Sequence, residues 1–172
     1  PETMYFWGTY VDENYGTDRT GMPDGLTLNT YIRYYWQGGL ELSLMMLDYY
    51  QYTQDTEFLK DTLLPVVTEV VTFFDRHWKR GDDGKILFSP AMSLETYRTA
   101  VHPLPEIVGI HKVCSELLRL PDSFVSDGQR SAWKRLMSEL PEIPVEERNG
   151  VKVLAPAYLY KDKQNVENPE LY

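Results

Sequence analysis

The feature that most constrains the fold is a pair of helical stretches joined by only a few residues. The second stretch begins after Asp55, a residue type that caps helix N-termini, and runs to about Lys79. Its apolar residues recur at i, i+3 and i+4 spacing: Leu63, Val66, Val67, Val70, Phe74 and Trp78. The first stretch, from Asn29 to about Tyr52, is apolar nearly all round and predicts a buried inner helix. Because the connection is short, we expect the two helices to pack as an antiparallel hairpin.

Two more helices are predicted further along the chain. The third spans about Pro105 to Leu120, and the fourth opens at Ser126, where Ser126 and Gln129 have capping-box spacing. Between the helices lie long loops rich in aromatic and acidic residues, with short strand-like runs such as "VKVLAPAYLY". We therefore predict an all-α fold of helical hairpins with long loops and short strands, forming a single domain over residues 1–172.

Charge and residue types exclude several classes of function. The 26 acidic residues outnumber the 17 basic ones and no basic face is visible, so we expect no nucleic-acid partner. No apolar run reaches the length of a membrane span. The histidines and the single cysteine, Cys114, show no metal-ligand spacing, so we expect neither a metal nor a cofactor. Cys114 lies in an apolar helical pattern that is typical of a core residue, and the oligomeric state stays open.

The stretch "FSPAMSLET" carries a resemblance to a known enzyme family. Together with "NTYIRYYWQGG" and "FLKDTLLPVVTEVVTFF" before it, this stretch resembles the (α/α)6-toroid catalytic domain of bacterial glycoside hydrolases. Within those enzymes it resembles the family 95 fucosidase and galactosidase group and its uncharacterised relatives. There, a loop of the pattern Pro-Ser-x-Ser-Pro-Glu delivers the general acid; Pro90, Ser93 and Glu95 match it in order, and Leu94 replaces the second proline. The resemblance implies a fragment of a larger toroid.

Glu95 is the candidate catalytic acid. Glycoside hydrolysis takes two carboxyl groups, which inverting enzymes hold about 6.5–9.5 Å apart. The acid needs a raised pKa, and the apolar and aromatic neighbours Phe88, Met92, Leu94 and Tyr97 suit that shift. Without the resemblance, a solvated loop carboxylate is the simpler interpretation. With it, an inverting glycoside hydrolase acting on an oligo- or polysaccharide is the leading hypothesis.

Further residues are candidate contacts to a carbohydrate substrate. Aromatic rings stack on sugar rings, and polar side chains bind sugar hydroxyls. The candidates are Glu2, Trp7, Asn29, Arg33, Trp36, His102 and Glu167. Each has a structural alternative: Trp36 fits a core position at helical spacing, and the glutamates fit surface charges. Glu167 is also a weak candidate for the opposing carboxylate.

A departure from the family pattern keeps other interpretations open. The family's Asn-x-Asn pair helps to activate the water, and alignment on Trp36 places its two positions at Leu28 and Thr30, with Asn29 between them. A non-catalytic carbohydrate-binding or scaffold module derived from such a hydrolase is therefore the alternative, and a helical protein-interaction domain is a third. The resemblance favours the enzyme, and it alone implies a periplasmic or secreted location.

Overall fold

The computed structural model describes residues 3–5, 26–28, 34–94 and 96–163 of the chain. This part contains four helices and eight strands, numbered here in chain order. The helices are α1 (Gly38–Thr53), α2 (the continuous segments Thr56–Phe58, Leu59–Leu63 and Leu64–His77), α3 (Leu104–Leu117) and α4 (Asp127–Ser138). The strands are β1 (Thr3–Tyr5), β2 (Leu26–Leu28), β3 (Ala91–Ser93), β4 (Tyr97–Pro103), β5 (Val145–Arg148), β6 (Val151–Leu154), β7 (Ala157–Leu159) and β8 (Asp162–Lys163).

Helices α1 and α2 form the predicted antiparallel hairpin. Gly39, in the first turn of α1, lies against Val70 in the second half of α2, where an added Cβ would be only 3.2 Å from the Val70 Cγ1. At the other end of the pair, the rings of Tyr49 and Phe58 meet edge to face with centroids 4.6 Å apart. Asp55 caps α2 as predicted, since its carboxylate accepts a hydrogen bond from the Phe58 N–H at 2.9 Å.

Helix α1 differs from its prediction in both its start and its burial. It begins at Gly38, not at Asn29, because Tyr34 has a φ of 67°, outside the right-handed helical region. One face is buried, through Leu40, Ser43, Leu47 and Tyr50. The opposite face carries exposed apolar side chains, namely Leu42, Met45 and Tyr49. The prediction of a helix buried all round is therefore wrong, since α2 and α3 cover only one side of it within the described residues.

A π-helical turn accommodates Pro65 within α2. Proline has no N–H to donate to the carbonyl four residues earlier, and its ring clashes with that carbonyl in an ordinary α-helix. The helix widens to π geometry over Leu59–Leu63, and the Leu64 N–H then donates to the Leu59 carbonyl five residues back. The helix thus continues through the proline instead of ending at it.

The prediction of an all-α fold, and with it that of the (α/α)6 toroid, is wrong. The described residues include a four-stranded antiparallel sheet in which β4 pairs with β3, β7 and β8. Strand β4 contains Tyr97, Thr99 and Val101, whose aromatic or β-branched side chains favour strands. Its partners β7 and β8 come from much later in the chain, so local sequence patterns do not reveal the pairing.

Strands β5 and β6 form a hairpin that the sequence analysis missed. Arg148 pairs with Val151, which leaves Asn149 and Gly150 as a two-residue loop with φ values of 52° and 78°. Positive φ at both positions is what a type I′ turn requires, and Asn-Gly is its preferred sequence. The run predicted as one strand, "VKVLAPAYLY", is instead divided into β6 and β7 around Pro156.

Helices α1 and α3 pack side by side and run parallel, as contacts near both of their ends show. Near their N-terminal ends, Gly109 of α3 faces Leu40 of α1, and a Cβ added at Gly109 would lie 2.9 Å from the Leu40 Cδ1. Near their C-terminal ends, the Gln51 Nε2 donates to the Glu116 Oε2 at 2.9 Å. The glycine therefore sets how closely the two helices approach.

The boundaries of α3 and α4 follow their sequence signals closely. Helix α3 starts one residue before the predicted Pro105 and ends three residues before the predicted Leu120. Helix α4 begins with the predicted capping box: the Ser126 hydroxyl accepts from the Gln129 N–H, and the Gln129 side chain accepts from the Ser126 N–H. Buried side chains of all four helices form one core, with Ile86 and Phe88 from the segment after α2.

Candidate active site

The β3–β4 hairpin contains the candidate acid loop. Ser93 pairs with Tyr97, so a three-residue connection joins the two strands. Leu94 and Thr96, on either side of the central position, are only 6% and 5% exposed, and Leu94 has a left-handed φ of 56°. Two of the three residues of this connection therefore have side chains that pack against the protein. Glu95 itself lies outside the described residues, so its role as the acid stays a prediction.

Trp36 joins this hairpin to the helices. Its indole N–H donates to the Pro90 carbonyl oxygen at 3.2 Å. The half-buried ring packs against three alanines of the sheet and against three aromatic rings at the end of α2 and just beyond it. The alanines are Ala91, Ala100 and Ala157, and the rings are Phe73, His77 and Trp78 at centroid distances of 5.7, 4.6 and 5.3 Å. The small alanine side chains leave room for the indole between sheet and helices.

His102 lies on β4 with a left-handed φ of 52°. Its backbone N–H donates to the Phe88 carbonyl at 3.0 Å, and its ring centroid lies 6.2 Å from that of Tyr158. Burial lowers the pKa of His102, and the charge of Asp83 opposes this only in part, so the imidazole is neutral at pH 7. The buried Nδ1 has no hydrogen-bond partner among the described residues.

Glu106 is a buried carboxyl group that the sequence analysis missed. It lies in the first turn of α3 and is 0% exposed. Burial raises the pKa of Glu106 to about 8, and the backbone N–H groups of Glu106 and Trp36, which lie beside the carboxyl group, oppose the rise only in part. Neither carboxyl oxygen completes a hydrogen bond within the described part of the chain. At neutral pH Glu106 therefore keeps its proton.

A second buried polar side chain, Gln37, lies immediately before α1. Gln37 follows Trp36 directly, is 2% exposed, and has no partner for its amide oxygen or nitrogen among the described residues.

The sequence did contain a signal for Glu106, because Glu106, Ile110, Val113 and Leu117 follow the i, i+4, i+7 and i+11 spacing of one helix face. That face is the buried one.

A model of the glycosyl hydrolase family 95 catalytic domain matches residues 8–152, most of the chain. The chain belongs to glycosyl hydrolase family 95. The predicted resemblance to this family is confirmed, and glycoside hydrolysis is the activity class of the domain. No curated protein and no solved structure matches the chain.

The predicted site residues of this family 95 domain divide into two groups. Trp36 and His102 are described, and both border the β3–β4 hairpin: Trp36 contacts Pro90 just before β3, and His102 lies on β4. The structure therefore brings these two candidates to one supersecondary unit. The remaining candidates lie outside the described residues: Glu2, Trp7, Asn29, Arg33, Glu95 and Glu167.

A cleft of about 440 Å³ between α1 and α3 is not a good sugar site for a family 95 domain. Its walls are mostly apolar, formed by Leu40, Leu44, Leu104, Pro105, Val108, Ile143 and Leu154, with Gln37, Glu41 and Lys112 as the polar side chains. A sugar carries many hydroxyl groups that each need a polar partner. The location of the candidate site at the hairpin stays a prediction.

Other chemistries find little support in the part of the chain that the structure describes. No cluster of three or more histidine, cysteine, aspartate or glutamate side chains there could hold a metal ion. Burial raises the pKa of the Cys114 thiol to about 12, so this cysteine stays protonated and unreactive. None of the described helices is long and apolar enough to cross a membrane.

Proposed function

We propose that this family 95 domain hydrolyses glycosidic bonds of an oligo- or polysaccharide with inversion, and that Glu95 is the general acid. The match to a catalytic domain supports hydrolysis. The order of Pro90, Ser93 and Glu95 supports the choice of acid. In the inverting reaction the acid protonates the glycosidic oxygen, while a second carboxylate activates water on the opposite face of the sugar.

The observation that carries this proposal is the buried setting of the residues next to Glu95. Met92, Ser93, Leu94 and Thr96 are between 1% and 6% exposed. Apolar, dehydrated surroundings destabilise the charged form of a carboxyl group and so raise its pKa. A raised pKa is what a general acid needs in order to hold a proton near neutral pH.

Substrate contacts are proposed for Trp36 and His102 at the hairpin and for five candidates that lie outside the described residues. Trp36 and His102 are both partly exposed, and we expect the indole to contact a sugar ring and the imidazole to bind a hydroxyl group. The further proposed contacts are Glu2, Trp7, Asn29, Arg33 and Glu167. Together they would supply the aromatic and polar partners that a carbohydrate requires.

The role of Glu95 is tested by Glu95→Gln on two leaving groups. Each sugar of a small panel, including fucose and galactose, is assayed as its 2,4-dinitrophenyl glycoside and as an alkyl glycoside. The dinitrophenolate leaves without a proton, whereas the alkoxide needs one. We expect the variant to lose about 10²- to 10⁴-fold in kcat on alkyl glycosides and far less on dinitrophenyl glycosides.

The matched control is Glu142→Gln, which removes an exposed glutamate and should leave both rates unchanged. Equal loss on both leaving groups would contradict the acid role, as would no loss on either. Proton NMR of the first-formed product anomer tests inversion, because retention would produce the opposite anomer.

The second candidate is a carbohydrate-binding module without catalysis. Leu28 and Thr30 stand where the family places its water-activating asparagines, and this observation favours it. Calorimetric binding of a glycan together with no product after long incubation would support the module. Release of sugar that is abolished by Glu95→Gln would exclude it.

A further inference from the structure

The four-stranded sheet carries two pairs of aromatic rings next to the candidate acid loop. The ring of Tyr97, at the start of β4, meets that of Tyr160 with centroids 4.9 Å apart. Farther along β4, the ring of His102 lies 6.2 Å from that of Tyr158 on β7. Both contacts are edge to face, and such a contact covers at most one face of one ring in each pair. Tyr97 follows the candidate acid, Glu95, by two positions in the chain.

The two tyrosines that pack against β4 lie on the same side of their own segment. The register of β4 with β7 is the same as its register with β8, so the chain from β7 to β8 runs along β4 without an inserted residue. Alternate residues of an extended segment point to the same face, so Tyr158 and Tyr160 project from one side, about 7 Å apart along the strand. The two ring pairs therefore form one aromatic surface, which consists of Tyr97, His102, Tyr158 and Tyr160.

The packing of the fold does not account for the exposure of this aromatic surface. Tyr158 is 70% exposed and Tyr160 is 39% exposed, so the ring of Tyr158 gains little from burial. A single exposed apolar side chain is ordinary, whereas adjoining exposed rings are typical of a binding surface. Thr99 on β4 and Lys161 after Tyr160 are exposed as well and provide polar groups in the same two segments.

We propose that the aromatic surface binds the sugar units of the leaving group, so that the substrate of this domain is a glycoside whose leaving group is itself a saccharide. Rings with an open face stack on the apolar faces of sugars, and nearby polar groups bind the hydroxyl groups. A general acid protonates the oxygen of the leaving group, so a surface continuous with the hairpin of the acid adjoins that side of the cleaved bond. The assignment to the leaving group rests on the function proposed above, whereas saccharide binding by these rings does not.

The test compares two leaving groups on the same sugar in the full 172-residue chain. Methyl and lactosyl glycosides of fucose and of galactose are assayed with the wild type, Tyr158→Ala and Tyr158→Phe, and thermal unfolding verifies that each variant is folded. The control is Tyr52→Ala, which removes a tyrosine that is 90% exposed near the C-terminal end of α1. That position is about 20 Å along the helix from the end that adjoins Trp36 and the hairpin.

We expect Tyr158→Ala to lower kcat/KM on the lactosyl glycosides by about 3- to 10-fold, mainly through KM, because one stacked ring is lost. The change on the methyl glycosides should be much smaller, since methanol offers no sugar ring to the surface. Tyr158→Phe keeps the ring and should stay within about twofold of the wild type on both leaving groups. Tyr52→Ala should match the wild type on both.

Saccharide binding is also measured without turnover. Lactose, the free form of the leaving group, is added to the wild type and to each variant, and saturation-transfer NMR reports its contact with the protein. We expect transfer to lactose in the wild type, in Tyr158→Phe and in Tyr52→Ala. Transfer should fall in Tyr158→Ala and fall further when Tyr160→Ala is added.

Three results would overturn the inference. The first is an equal loss, or no loss, on methyl and lactosyl glycosides in Tyr158→Ala. The second is the absence of lactose binding to the wild type. The third is a concentration-dependent dimer that Tyr158→Ala abolishes, since the surface would then be occupied by a second copy of the chain. Lactose binding through Tyr158 in a chain that hydrolyses no glycoside would refute the proposed function and leave saccharide binding by the aromatic surface intact.

Discussion

The indole N–H of Trp36 donates to the Pro90 carbonyl oxygen at 3.2 Å and joins the segment before α1 to the β3–β4 hairpin. Trp36 also packs against both apolar clusters of the domain, the large helical core and the small cluster of three alanines in the sheet. One side chain therefore couples helices and sheet, and changes at this residue should reach both.

A comparison of Trp36→Phe with Trp36→Ala should separate the contribution of the hydrogen bond to stability from that of the packing of the ring. Phenylalanine keeps an aromatic ring but loses the N–H, so the Pro90 carbonyl loses its donor at a cost of about 1 kcal/mol. Trp36→Ala also removes the ring and should cost about 3 kcal/mol. Urea unfolding measures both values. The control is Trp133→Phe in α4, which alters a buried ring of the helical core only and should lower stability without lowering kcat.

The helices of this domain were predictable because their signals are local. Asp55 and Ser126 cap α2 and α4 through hydrogen bonds to residues within three positions, and the apolar spacing follows from a single helix face. The sheet was not predictable in the same way. Strand β4 takes its partners β7 and β8 from the far end of the described chain, so no window of sequence contains the pairing. The Asn149-Gly150 turn was a local signal and could have been recognised.

The sequence predicted which stretch of the chain contains the candidate acid, but it did not predict which distant residues contact that stretch. The order of Pro90, Ser93 and Glu95 pointed to the hairpin loop, but the contact between Trp36 and Pro90 spans 54 positions and depends on the tertiary fold. Glu106 was visible as a charge on a buried helix face. It was overlooked because a carboxyl group on an apolar face is unusual, and its neutral form follows only from its full burial.

The buried Glu106 predicts that stability falls as the pH rises. Its pKa is about 8 in the folded protein and 4.5 where water surrounds the side chain, as in the unfolded chain, so the folded state holds an extra proton between these values. The free energy of unfolding should therefore fall from about pH 4.5 to pH 8, by up to about 5 kcal/mol. Glu106→Gln cannot titrate and should lack this decrease. Urea unfolding at pH 5 and pH 8 compares the two proteins.

Glu116→Gln is the matched control for the pH series. The hydrogen bond from Lys112, opposed by burial, lowers the pKa of Glu116, so its charged form predominates at pH 5 and above. The stability difference between wild type and this variant should be the same at pH 5 and pH 8. A Glu106→Gln curve parallel to that of the wild type would mean that Glu106 is ionised in the folded protein.

Gly109→Ala should destabilise the domain even though alanine favours helices. The new Cβ would lie 2.9 Å from the Leu40 Cδ1 and 3.3 Å from the Leu40 Cβ, and both distances are shorter than ordinary van der Waals contacts. Overpacking of about 1–3 kcal/mol should outweigh a gain of about 1 kcal/mol in helix propensity. Gly128→Ala in α4 is the control, since its nearest contact is the Ser126 Oγ at 3.9 Å. Equal thermal shifts in the two variants would show that α1 and α3 are not packed this closely.

Four charged side chains connect the end of α2 to the end of α4. Arg135 contacts Asp75 at 2.6 Å and Glu139 at 2.8 Å, and Arg80 contacts Glu139 at 2.7 Å and also Asp75. Burial alone would raise the pKa of Asp75, but the hydrogen bonds and charges of Arg135 and Arg80 outweigh it and lower that pKa below 3.8. The network therefore stabilises the fold only while Asp75 is ionised.

Asp75→Asn should therefore destabilise the domain more at neutral pH than in acid. A lowered folded pKa gives stability that is present above the unfolded value of 3.8 and lost as the pH falls through the folded value. Because these side chains are partly exposed, solvent screening limits the loss at pH 7 to about 1 kcal/mol. Unfolding at pH 7 and pH 2.5 measures it, and the difference from wild type should shrink at the lower pH. Asp122→Asn, which removes a carboxylate that is 97% exposed and paired with Arg130, should leave the unfolding curve unchanged. A loss of equal size at both pH values would show that Asp75 stabilises the fold through shape and not through charge.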